Sequence, residues 1–189
     1  IGACSSSLVV TGKYPTPLVP KMPYSLAVVY DDTFRNYKYK EESENRDDWR
    51  ISIGPAKTLL FDTVLPAMFI NVIEMPTIDN QVNDTNVDLV MLPVLSEFQY
   101  NLPSETKVKM FEVWMKYNVK VYEPDGELIA DWIMTAYGKT PSGLIKSKET
   151  ALNEAMNVAL RDAGANLSIT FSKVPEIRAW MKRQETTKL

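Results

Sequence analysis

Histidine is absent from the 189 residues. Its imidazole titrates near neutrality, supplies the base of Ser-His-Asp and Cys-His catalysis and is the commonest metal ligand, so those mechanisms are excluded together. A single cysteine rules out an intramolecular disulfide and any paired-cysteine redox or zinc site. Seven glycines leave little room for phosphate-cradling loops. Gly54 to Thr58 ends in Lys-Thr, yet it lacks both the leading glycine and the glycine before Lys57 that such a loop needs. Net charge is −3 and the basic residues are scattered, which removes the electrostatic footprint of a nucleic-acid binder. No apolar run reaches the ~18 residues of a membrane-spanning helix. What remains is globular in composition, with 45% hydrophobic and 24% charged residues, enough for the core of one domain.

The chain opens Ile1-Gly2-Ala3-Cys4, which resembles the lipobox of bacterial lipoproteins: an aliphatic residue, two small residues and a cysteine. The resemblance implies that residues 1–3 are a signal-peptide remnant and that the Cys4 thiol carries lipid, acyl chains contributing about 0.8 kcal/mol of anchoring per buried methylene. Ser5, where aspartate would signal inner-membrane retention, implies sorting to the outer membrane. Residues 4–23 then form a lipidated, Pro-rich tether containing Pro15, Pro17, Pro20 and Pro23. The alternative is that Leu8-Val9-Val10 and Leu18-Val19 dock on the domain or on a neighbouring subunit.

Residues 24–189 read as one α+β domain. Tyr24 to Tyr30 is a short apolar strand closed by Asp31-Asp32. Thr33 to Asp48 carries so many charges of both signs that it reads as an exposed loop with a frayed strand at its start, and its carboxylates lack the spacing of a calcium loop. Gly54-Pro55 starts a helix that Pro66 should end or kink, followed by a strand at 69–75 and another over 87–98. Phe111, Val113, Met115, Tyr117, Val119 and Val121 alternate with polar residues, and Leu128 to Ala136 alternate in return after Pro124-Asp125-Gly126. That period of two predicts a long antiparallel hairpin over about 107–138. Ser147 caps an Ala-rich helix that ends at Gly164 or continues irregularly toward Leu167, and Pro175 opens a last one. The order predicts a mixed sheet with helices packed on one face.

The lipobox, the Pro-rich tether, the DLVMLPVL strand, the hairpin with its Glu-Pro-Asp-Gly-Glu turn and the Ala-rich helix together resemble small bacterial outer-membrane lipoproteins. These include the periplasmic part of the curli secretion channel, lipoprotein activators of penicillin-binding proteins, and YajG-like lipoproteins. The resemblance implies a non-enzymatic, periplasm-facing accessory in envelope assembly, secretion or cell-wall synthesis, working with envelope proteins as a homo-oligomer or part of a larger complex. A pore built by this chain alone is doubtful, because the charged loop is unfit to face lipid. The candidate partner surface is the hairpin face with Trp114, Lys116 and Tyr122, and the loop of Tyr37 and Tyr39 beside it. A competing reading buries Trp114 beneath a helix or the tether. The sequence offers no cofactor or metal motif. Two further functions stay open: an apolar or amphiphilic ligand held by Met91, Met110, Met115, Met134 and Met156, and carboxylate-only hydrolysis by Glu112 and Asp131.

Overall fold

The computed structural model describes residues 5–41, 48–78, 86–143 and 147–187. The fold is α+β. Its main sheet has five strands: β2 (Met22–Val29), β5 (Phe69–Met75), β6 (Leu89–Asn101), β7 (Met110–Tyr122) and β8 (Leu128–Pro141), in the order β5-β2-β6-β7-β8. β2 runs parallel to both β5 and β6, whereas β6, β7 and β8 form an antiparallel meander. The predicted hairpin is present as β7 and β8, turning through Gly126 at φ +93°, a left-handed conformation that glycine adopts without steric cost. β2 pairs with β6 only over Leu89–Met91, so Pro93, which has no N–H to give, lies past that ladder.

Alternation on β7 sends Phe111, Val113, Met115, Tyr117, Val119 and Val121 into the main core. Above them pack α2 (Gly54–Met68), α3 (Lys148–Thr170) and α4 (Pro175–Thr187). Ser147 caps α3 by accepting the Thr150 N–H at 3.2 Å. Gly164 does not end α3. It is buried where α3 meets α2, and a Cβ there would stand 2.9 Å from Leu60 Cδ1. Pro66 sits inside α2, which ends two residues later at Met68.

Two segments differ from the sequence reading. From Ser5 onward the chain follows the docking alternative and not a free tether, with Leu8 and Val10 buried and Val19 partly so, while Val9 and Leu18 stay exposed. β1 (Ser5–Val9) pairs in parallel with β4 (Asp48–Ser52), and β3 (Lys38–Lys40) completes a small sheet ordered β1-β4-β3. Leu8, Val10 and Tyr14 are buried in the main core, and that burial holds the segment down. The chain from Val10 to Lys21 then crosses α3 and α2 as an extended strap. Cys4 and residues 1–3 lie outside the described residues.

The expected loop at 33–48 contains both α1 (Asp32–Arg35), capped by Asp31 accepting the Phe34 N–H at 2.6 Å, and β3. Glu41 at its centre is buried and accepts hydrogen bonds from Tyr39 Oη at 3.3 Å and Tyr100 Oη at 3.1 Å. Residues 42–47, which hold most of the charges read as a solvated face, lie outside the described residues.

Candidate contact face

Helices cover one side of the main sheet, and the other side of β6, β7 and β8 is open. The pleat that buries Met115 turns Glu112, Trp114, Lys116, Asn118 and Lys120 outward. Register then fixes their neighbours. Trp114 lies between Gln99 and Tyr137, Lys116 between Glu97 and Thr135, and Glu112 between Asn101 and Lys139.

Trp114 is 37% exposed and packs against Tyr137, ring centroids 5.2 Å apart and planes tilted by 43°. It therefore lies under neither helix nor strap. Tyr137 Oη donates to Glu112 Oε1 at 2.8 Å, and burial with this acceptor raises the tyrosine pKa. Lys116 Nζ donates to Glu97 Oε1 at 2.7 Å. Between these pairs is a shallow cleft of about 300 Å³ bordered by Trp114, Lys116, Glu97, Gln99, Asn101 and Thr135. An aromatic pair ringed by amides and matched charges forms a surface with an apolar centre and a polar rim, the composition that protein contacts favour. The edge of β8 beside it is partly closed from the helix side. Asp162 accepts the Tyr137 N–H at 2.9 Å, and Asn166 Nδ2 donates to the Thr135 carbonyl at 3.2 Å.

The other expected site residues are placed elsewhere. Tyr122 shares the outer side but sits eight residues along β7 from Trp114, about 26 Å for an extended strand, packed on a small second cluster of Ala27, Val29, Met75, Val87 and Val90. Tyr37 and Tyr39 are not beside Trp114. Tyr37 lies under the Lys57 ammonium, 4.6 Å from ring centroid to Nζ, with its hydroxyl pKa raised by burial. Tyr39 packs on Phe98 at 5.0 Å and Tyr100 at 5.8 Å, residues on the helix-covered side. Both tyrosines serve the seam between the small sheet and the main core.

Among the described residues the methionines expected to hold a ligand lie in the core and at its edge, not around one common pocket. Met91, Met115, Met134 and Met156 are buried within the core, and Met110 is half-buried at the end of β7. Nor do Glu112 and Asp131 face each other, since Asp131 pairs with Lys120 and Glu112 with Lys139. Sequence reasoning missed Tyr137 and Glu97, whose part depends on register across three strands. It also missed Lys57, dismissed with the phosphate-loop idea but found at 0% exposure inside α2.

No protein-family model matches the chain, and no curated protein matches it in sequence. Solved structures do. The fold is similar to that of protein XCC0632 from Xanthomonas campestris, described by the family model DUF330. The TM-score is 0.54 at 15% identity, covering 90% of this chain and 98% of that one. The minor lipoprotein of Acinetobacter baumannii matches with a TM-score of 0.49 at 10% identity over 82% of this chain and 94% of its own. Lipoprotein GNA1162 of Neisseria meningitidis gives 0.29 at 10% identity, over 71% and 94% respectively. At these identities the likeness to XCC0632 establishes shared fold. Among the described residues no helix is long and apolar enough to cross a membrane.

Proposed function

We propose that this chain is the periplasm-facing domain of a lipid-anchored outer-membrane protein, acting by protein-protein contacts in envelope assembly, secretion or cell-wall synthesis and not by catalysis. The observation that carries this reading is the asymmetry of the main sheet. Helices cover one side, while the opposite side presents the Trp114–Tyr137 pair, partly open to solvent and held by Glu112. Trp and Tyr are the residues that dominate binding energy when a partner excludes water from them. The Ile-Gly-Ala-Cys sequence, with its resemblance to a lipobox, supports the anchored placement.

The test is site-specific photocrosslinking in cells expressing the full gene, with the crosslinker at Thr135 or Gln99 and a control at Lys182 on α4. Protein adducts at the two sheet positions and not at 182 are expected. A Trp114→Ala, Tyr137→Ala variant should melt within a few degrees of the parent and lose those adducts. Adducts that survive both substitutions, or appear only at 182, would refute the assignment of this face.

A further inference from the structure

The strap does not lie flat on the helices. Between it and them runs a separate cleft of about 270 Å³, on the helix side of the molecule and independent of the outer sheet face. Its floor is Leu60 and Val64 of α2, close to where Gly164 brings α3 against that helix. Pro15 and Pro17 wall it on the strap side and Ile169 on the α3 side. At its border Leu18 is fully exposed and Ile169 is 55% exposed, so two large apolar side chains stand in water beside an apolar trough.

The cleft is preformed. Proline fixes φ along the strap. Upstream, the Thr11 N–H donates to Asn153 Oδ1 at 3.0 Å, while the Thr11 carbonyl accepts from Asn153 Nδ2 at 3.0 Å and Asn157 Nδ2 at 2.7 Å. Gly12 lies so close to Asn157 that a Cβ there would collide with its Oδ1. The strap is thus clamped to α3 just before the cleft and is not free to settle into it.

Polarity selects the occupant. Only two lining side chains are polar, Arg161 and Ser168, and the Ser168 hydroxyl is spent on the Ala165 carbonyl at 2.9 Å. A polypeptide laid here would find few side-chain partners for its backbone, whereas a hydrocarbon chain needs none. Arg161 is the one ionisable side chain of the lining. It is exposed, so its guanidinium stands at the opening, and it uses a single long hydrogen bond, 3.3 Å from Nη2 to the Lys13 carbonyl. No carboxylate pairs with it among the described residues, which leaves most of a five-donor fork for an anion.

We infer that this cleft binds a single-chain anionic amphiphile, its acyl chain held by Pro17, Leu18 and Ile169 above the Leu60–Val64 floor and its carboxylate or phosphate head on Arg161. The test uses the full chain with Cys4→Ser, titrated calorimetrically with dodecyl phosphate below its micelle concentration, with dodecyl maltoside and with inorganic phosphate. Dodecyl phosphate should bind once per chain. Ala165→Trp, an exposed lining position, should weaken both amphiphiles more than about tenfold by filling the trough. Arg161→Gln should weaken dodecyl phosphate about tenfold and leave the maltoside unchanged. Inorganic phosphate alone should bind too weakly to compete. The inference is overturned by dodecyl phosphate binding that is absent or indifferent to both substitutions, or by inorganic phosphate competing as an equal. Light scattering supplies a last arm: an oligomer that Ala165→Trp takes apart would assign the cleft to a second copy of the chain and overturn it as well.

Discussion

Lys57 puts the packing of α2 to a quantitative test. Its ammonium is wholly buried, 3.9 Å over the Phe34 ring and 4.6 Å over that of Tyr37, and Nζ meets no hydrogen-bond acceptor. Burial pushes its pKa down from 10.5 to about 7, the Asp31 carboxylate opposing the change. The folded chain therefore holds this proton less readily than the unfolded one, so stability rises with pH between about 7 and 10.5 and carries the full penalty below 7. At 1.36 kcal/mol per pH unit the penalty is roughly 5 kcal/mol, net of whatever the two rings return to the cation. Lys57→Met keeps the stem and deletes the charge. It should stabilise the protein by roughly 5 kcal/mol near pH 6.5, which for a chain of this size is about 10–20 °C in Tm. It should also flatten the dependence of Tm on pH up to about 9.5. Above about pH 10 the tyrosines Tyr14, Tyr30 and Tyr117, held protonated by burial, lower stability in both proteins, so the comparison belongs below that range. Calorimetric melts of the two proteins across this window are the assay. A Lys57→Met protein that melts lower than the parent at pH 6.5, or one that keeps the parent's slope, would refute the reasoning.

Gly138→Ala should lower Tm by about 6–12 °C, roughly 3 kcal/mol, because the new Cβ meets the Ala155 carbonyl and the Ala159 backbone and pushes α3 off the sheet. Gly126→Ala, strained only by its positive φ, should cost about 1 kcal/mol in the same melts. Val119→Asp buries an unpaired charge in the core and should cost about 4 kcal/mol in a denaturant titration, whereas Lys116→Asp on the outer face should cost less than about 1. Cys4→Ala should release the protein of the full gene from the membrane fraction, and mass spectrometry of the parent should find an acylated cysteine. An unmodified thiol there removes the anchor.

Legibility in the sequence followed how local each signal was. The β7–β8 hairpin was readable because one half-buried strand displays its period of two within its own residues, and the Ser147 cap and Pro175 start are equally local. β1 was not readable, since Ser5–Val9 has little apolar content and becomes a strand only by pairing with β4 some 43 positions away. β3 and β4 flank a charged run that masks a short alternation, in which Trp49 and Ile51 are buried and Asp48 and Arg50 are exposed. The contact face was half readable. Trp114 and Lys116 followed from the outward phase of β7, but Tyr137 and Glu97 required the cross-strand register, and Tyr37 and Tyr39 looked exposed because charged neighbours hid their burial. Lys57 carried no signal, since a lysine on an apolar helix face reads as an end that escapes to water.

Register on the outer face also bears on how a partner is recognised. Lys116 is paired with Glu97, Lys120 stands opposite Asp131, and Glu112 stands opposite Lys139 while accepting from Tyr137. Charges of both signs alternate across neighbouring strands, so at distances beyond about 8 Å, the Debye length at physiological ionic strength, their fields largely cancel. Long-range steering is therefore weak, and the uncharged centre at Trp114 and Tyr137 is left to supply the affinity by desolvation. The affinity for an envelope partner should change by less than about threefold between low and high salt, and Trp114→Ala should cost it about 2 kcal/mol, chiefly through faster dissociation. Surface plasmon resonance on the crosslinked partner, run across a salt series, measures both quantities. A steep loss of affinity with salt, or a Trp114→Ala complex that dissociates at the parent rate, would move the contact off this face to a more charged part of the molecule.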